Sequence, residues 1–190
     1  MADRPGGGKH RTRRYDPQRS MRIAEAAVRV IGERGVEGLT HRAVAAEGDV
    51  PIAGTTYHYR SKEDLLLAAL EISVAEYEAI MAAIPVDHPD LVVADVIEMT
   101  ADALLDCFTA QRARTTVQLE LYVAAIRRPA LRPVADRFTA ATRGLYARYT
   151  DPETAELLAD LAQGLTLRGM ASMNPPTREQ IRALLTRCLP

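Results

Sequence analysis

Apolar residues return at helical spacing along nearly the whole chain, and no stretch alternates apolar and polar between hairpin turn residues. This pattern predicts an all-α fold. Asp16 and Pro17 form a cap and first-turn pair, Ile23, Ala26, Ala27, Val30 and Ile31 share one face, and Gly35 stops the first helix. Thr40 caps a short second helix to about Glu47. Gly48, Asp49 and Pro51 interrupt it, and a third short helix follows over Ile52 to Tyr59. A Ser61 and Asp64 capping box opens a long fourth helix, with Leu66, Ala69, Leu70, Ser73, Tyr77, Ile80, Met81 and Ile84 on its apolar side and Pro85 at its end.

Beyond Pro89 a fifth helix reaches about Ala110. Val93, Ile97, Ala101, Leu104, Leu105 and Phe108 lie on one side, and Asp95, Glu98, Asp102 and Asp106 form a solvated face opposite. The segment Thr115 to Ile126 is apolar nearly all round apart from Gln118, Glu120 and the Tyr122 hydroxyl, which marks a central helix. A seventh helix starts near Pro129 with Val134, Phe138, Ala141, Leu145, Tyr146 and Tyr149 on one face. Asp151 and Pro152 cap an eighth, and a Thr177 and Gln180 capping box opens a ninth carrying Ile181, Leu184, Leu185 and Cys188. No repeat of solenoid period and no long linker interrupts the nine helices, so a domain division falls inside or beside the fourth.

Composition narrows the class without changing this picture. Hydrophobic residues make up 47% and charged residues 26% of 190 positions, a globular balance. The longest aliphatic run, Leu65 to Leu70, is far below the ~18 residues of a membrane span, and the first twenty residues carry no apolar leader. The expectation is a cytoplasmic protein without a membrane partner. Cys107 and Cys188 have no second Cys or His at metal spacing, so neither a disulfide framework nor a zinc site is expected.

Charge is unevenly spread. Residues 1 to 62 carry twelve Lys and Arg against seven Asp and Glu, a net +5, whereas the remainder carries −6. A basic end of this kind suits nucleic acid or another anionic surface, and equally a solvated tail. The second and third helices, joined by a turn and supported by the first, have the layout of a helix-turn-helix reader whose second helix enters the major groove. Thr55, Thr56, Tyr57, His58 and Tyr59 give that helix hydroxyl and imidazole groups, and Gly54 lets the backbone approach closely. No nucleophile elbow, Walker loop, dinucleotide fingerprint or paired metal-ligand motif accompanies them, so no catalytic residue, metal or cofactor is expected.

The stretch LTHRAVAAEGDVPIAGTTYHYRSKEDLL, from Leu39 to Leu66, resembles the TetR family of transcriptional regulators. Two positions depart from that pattern, Asp49 where a glycine is common and Arg60 where an aromatic residue usually closes the helix. The clear motif covers Pro17 to Leu66, and LELYVAAIRRPALRP is similar to the family's regulatory half. The resemblance implies that Thr40 turns a helix end toward a phosphate, that Arg42 contacts groove or backbone, and that Tyr57 and Lys62 hold phosphates. Thr55, Thr56 and His58 are then the candidates for base edges, while Arg11, Arg13 and Arg14 either enter the minor groove or stay solvated.

The expected protein is a homodimeric regulator, a repressor released from a palindromic operator by a small-molecule effector. Its basic arm and helix-turn-helix unit occupy residues 1–62, and a ligand-sensing and dimerisation unit occupies 63–190. Two half-sites on one operator compensate for the small contact made by a single recognition helix. The rival classes are a helical protein-interaction module without DNA binding and a small-molecule enzyme. Helices eight and nine are expected to pair with their symmetry mates through Leu158, Leu161, Leu165, Leu184 and Leu185, unless these leucines serve the chain's own core. The effector site is expected among helices four to eight at Gln118, Glu120 and Tyr122. For Glu120 an internal ion pair with Arg143 or Arg168 is the competing expectation.

Overall fold

The computed structural model describes residues 18–84 and 91–189, and every regular element within them is a helix. Nine helices follow in order: α1 (Gln18–Arg34), α2 (His41–Glu47), α3 (Ile52–His58), α4 (Lys62–Ala83), α5 (Val93–Phe108), α6 (Arg112–Arg127), α7 (Arg132–Tyr146), α8 (Pro152–Ala171) and α9 (Arg178–Thr186). Single 3-10 turns at Val36–Gly38 and Pro129–Leu131 lead into α2 and α7. Arg11, Arg13, Arg14, the Asp16 and Pro17 pair and Pro85 lie outside the described residues. No described helix is long and apolar enough to cross a membrane.

The caps form where the sequence places them. Thr40 Oγ1 accepts the Ala43 N–H at 3.1 Å, and Ser61 and Asp64 close a reciprocal box at 3.0 and 3.1 Å. The Asp151 carboxylate accepts the Glu153 and Thr154 amides and the Thr154 hydroxyl, which hold it below the usual carboxylate range. Asp49, at the turn between α2 and α3, has φ +47°. That left-handed conformation explains why glycine suits this position, and aspartate is among the few other residues that adopt it readily.

Two apolar clusters fill the fold. One joins Ile23, Ala27, Val30 and Ile31 of α1 to Val44, to Leu65, Leu66, Leu70 and Val74 of α4, and to Leu121 and Val134 of α6 and α7. The helix-turn-helix unit therefore shares its core with the second half of the chain. The other cluster joins α5, the C-terminal end of α7, α8 and α9 through Val96, Ile97, Phe108, Tyr146, Leu158, Leu165, Ile181 and Leu185. Arg137 of α7 clamps α4 by hydrogen bonds to Glu71 and to both oxygens of Glu78, and holds the Glu78 carboxyl low.

Three expectations need correction here. Helix α6 is one-sided, because Val123 and Ile126 are exposed while Val117, Leu121 and Ala125 are buried. The acidic side of α5 is partly engaged, since Arg178 of α9 pairs with Glu98 at 2.6 Å and with Asp102 at 2.5 Å. Leu158, Leu165 and Leu185 lie wholly inside the chain's own second cluster, so they present no surface to a second copy. Of the five predicted interface leucines, Leu161 and Leu184 remain half-buried and reachable.

Candidate nucleic-acid interface and internal cavity

Helix α3 is only seven residues long, and its neighbours fix its pose. Tyr59, just past its end, donates to the Ser20 carbonyl of α1 at 3.0 Å, and His41 Nδ1 of α2 meets Thr55 Oγ1 at 3.2 Å. Thr55 is completely buried and its hydroxyl also donates to the Ile52 carbonyl at 2.8 Å. It therefore cannot reach a base edge, and the expectation that placed it in the groove is corrected. Thr55 is the pin that locks α3 onto α2.

The outward residues are Ile52, Ala53, Thr56 and Tyr57, the last 76% exposed, with His58 half-buried and edge-on to the Tyr57 ring at 5.2 Å. Ile52 and Ala53 were not among the expected contacts. Apolar side chains exposed at the start of such a helix suit the methyl group of thymine. Packing does not require Gly54 to be glycine, since an added Cβ would find only Arg19 Cδ, at 4.0 Å. Thr40, Arg42 and Arg60 are exposed. Lys62 Nζ lies 3.4 Å from the Glu37 carbonyl and 3.9 Å from its carboxylate, so a phosphate would replace an exposed and weak pairing.

This geometry separates two neighbouring threonines. Thr55→Val should lower thermal stability by about 1–2 kcal/mol, through the lost bond to Ile52 and the orphaned His41 nitrogen. Thr56→Val should leave stability within about 0.5 kcal/mol and instead change which duplexes are retained in a selection from random DNA. Thermal melts and one round of selection on each variant decide it, and equal behaviour of the two would refute the assignment.

The second site is a cavity of about 480 Å³ enclosed by α4, α5, α6, α7 and α8. Its wall is mostly apolar and aromatic, with the Phe138 ring between those of Tyr77 and Tyr122 at 5.3 and 6.4 Å. Burial pushes the Tyr146 phenol up to about 12 and raises that of Tyr77, so both stay uncharged near neutral pH. Burial likewise raises the Cys107 thiol, which makes it a poor nucleophile. Gln118 and Tyr122 line this cavity, and Asp106 stands exposed at its rim. Among the described residues no group of His, Cys, Asp and Glu is arranged to hold a metal.

Glu120 belongs elsewhere. Its Oε2 accepts the Val36 N–H at 2.7 Å, across the junction between α6 and the turn that follows α1. It is not among the residues that line the cavity, and among the described residues it forms no ion pair with Arg143 or Arg168. Gly35 beside it has φ +70°, and a Cβ there would meet the Glu120 carboxylate at 3.2 Å. Thus α6 touches the cavity on one face and the helix-turn-helix unit on another.

Residues 23–69 match the family described as Bacterial regulatory proteins, tetR family, and residues 92–190 match Tetracyclin repressor-like, C-terminal domain. No curated protein sequence matches the chain. Among solved structures, the multidrug binding protein EbrR complexed with ethidium is 39% identical, with a TM-score of 0.81 over 92% of this chain and 100% of that one. EbrR complexed with malachite green is similar at 39% identity and a TM-score of 0.77, covering 92% and 99%. A member of TetR family, SCO1917 from Streptomyces coelicolor A3, has the same identity, TM-score and coverage.

Proposed function

The chain belongs to the tetR family of bacterial regulatory proteins and is a DNA-binding transcriptional regulator, and from this premise we propose that it is a homodimeric repressor released by an aromatic cation. In this reading residues up to 62 bind a palindromic operator, and residues from 63 sense the effector and dimerise. The activity is binding alone, exercised in the cytoplasm without cofactor or catalysis. The effector class rests on ethidium and malachite green, the cationic aromatic ligands of EbrR, and on the match between them and an aromatic cavity with Asp106 at its rim.

The observation that carries the reading is the double role of α6. Thr115, Gln118, Leu119 and Tyr122 line the cavity, while Glu120 on the same helix holds the Val36 amide. A ligand that shifts α6 moves the end of α1, and through it the recognition helix, relative to its twin. Couplings of this kind are typically about 1–3 kcal/mol.

The dimer surface follows from what α8 leaves uncovered. Leu157, Asp160, Gly164, Leu167 and Arg168 are exposed, and a Cβ on Gly164 would touch nothing. If α8 packs antiparallel to its twin at Gly164, Asp160 and Arg168 of opposite copies come to the same level, four residues either side of the crossing. Leu161, and Leu184 of α9, complete this face.

The test uses duplexes selected from random DNA by the protein itself, with malachite green as effector. The dye should weaken DNA binding by about tenfold or more, and Glu120→Ala should bind dye normally while losing most of that response. Dye binding at the cavity with unchanged DNA affinity would rule the reading out.

A further inference from the structure

The polar groups on the cavity wall divide into those already engaged and those left over. Thr100, Thr115 and Thr142 each donate to the carbonyl four residues earlier, at 2.8 to 3.1 Å. A hydroxyl has one proton to give, so the Tyr146 and Tyr77 hydroxyls donate in turn to Thr100 and Thr142, at 3.1 and 2.7 Å. Of the three glutamines on the wall, Gln111 stands exposed just before α6, and Gln163 accepts from Thr139 at 3.3 Å.

Gln118 is different. Its amide forms no hydrogen bond among the described residues, yet neither amide atom is sealed off. Helical geometry fixes where that open surface faces. Thr115 and Tyr122, three positions before and four after it on α6, line the cavity beside it. Arg127, nine positions on, is exposed, and nine residues make two and a half turns. Gln118 therefore leaves α6 directly opposite an exposed residue, on the side of the helix that the cavity occupies. Nothing within the chain pins its amide, so the carbonyl oxygen is free to turn toward whatever enters. A ligand that fills the cavity without offering a donor strips this oxygen of water and gives nothing back, which costs affinity.

We propose that Gln118 Oε1 is a donor-reading subsite, which accepts an amino N–H carried on the ring of an aromatic cation. The inference rests on the cavity being the site of a cationic aromatic effector, and it narrows that class to ligands with amino hydrogens at the ring edge. Delocalised positive charge sharpens such an N–H as a donor, so the bond is charge-assisted. Tyr122, one turn along α6 and edge-on to Phe138, supplies apolar contact for the flat body.

Proflavin and acridine orange separate this subsite from the rest of the cavity. They share one cationic three-ring frame, and in acridine orange methyl groups replace every amino hydrogen. Calorimetric titration of the full chain measures both dyes, and thermal melts confirm that each variant folds. Gln118→Met keeps the length of the side chain and removes the acceptor. It should weaken proflavin by about tenfold, while acridine orange binds within about twofold of wild type or tighter. Gln118→Glu keeps an acceptor oxygen and should bind proflavin at least as tightly as wild type does, to within about twofold. Equal loss of both dyes in Gln118→Met, no loss of either, or loss of proflavin in a folded Gln118→Glu would overturn the subsite and leave the cationic effector class standing. If neither dye binds the wild type, that class falls and the subsite falls with it.

Discussion

Gly169→Ala should lower the stability of the chain by about 2 kcal/mol and its melting temperature by roughly 4–8 °C, although alanine is the better helix former. Gly169 is buried in α8, and a Cβ there would lie 2.2, 2.3 and 2.8 Å from three atoms of the Phe108 ring. The ring is itself nearly enclosed within the second apolar cluster, so it has little room to turn aside. Propensity returns up to about 1 kcal/mol, and overpacking of a dense core commonly costs about 1–3 and occasionally more. Phe108→Leu should recover part of the loss in the double variant, because the two changes act on one contact. An unchanged melt for Gly169→Ala would mean that the ring is free to move.

Gly164→Arg, five residues earlier on the same helix, should leave the folded chain intact and abolish operator binding at concentrations that saturate the wild type. Its Cβ position is open, so a side chain leaves the helix there without a clash at its root. At the crossing of two copies of α8 proposed above, it would place two like charges against each other. Loss of the dimer removes the gain from engaging two half-sites together, typically a factor of about 10²–10⁴. A milder arm reverses one charge. Asp160→Arg should weaken the dimer, and adding Arg168→Asp should restore it. Sedimentation and light scattering report the outcome, and a Gly164→Arg dimer of wild-type strength would exclude this face.

The sequence announces those parts of the fold that are written locally. The Thr40, Ser61, Asp151 and Thr177 caps each join residues two or three positions apart, and all four form. The helical stripe around Leu158 and Leu165 marks a buried face, but no local signal says whether its cover comes from α5 or from a second copy. Thr55 and Thr56 read alike until His41, fourteen positions away, takes up the first of them. Gln118 and Tyr122 are legible as polar interruptions of an apolar helix. Glu120 looks the same, yet its partner lies 84 positions distant.

The bond from Glu120 to Val36 has a consequence for how such a regulator can diversify. Its partner is a main-chain amide, which every residue except proline supplies. The DNA-reading helices can then accumulate substitutions toward new operators without erasing the connection to the sensor. On the DNA-reading side of the junction Gly35, whose backbone conformation and crowding beside Glu120 disfavour a larger residue, is held to a fixed letter. Reading and sensing are thereby left to evolve at separate paces.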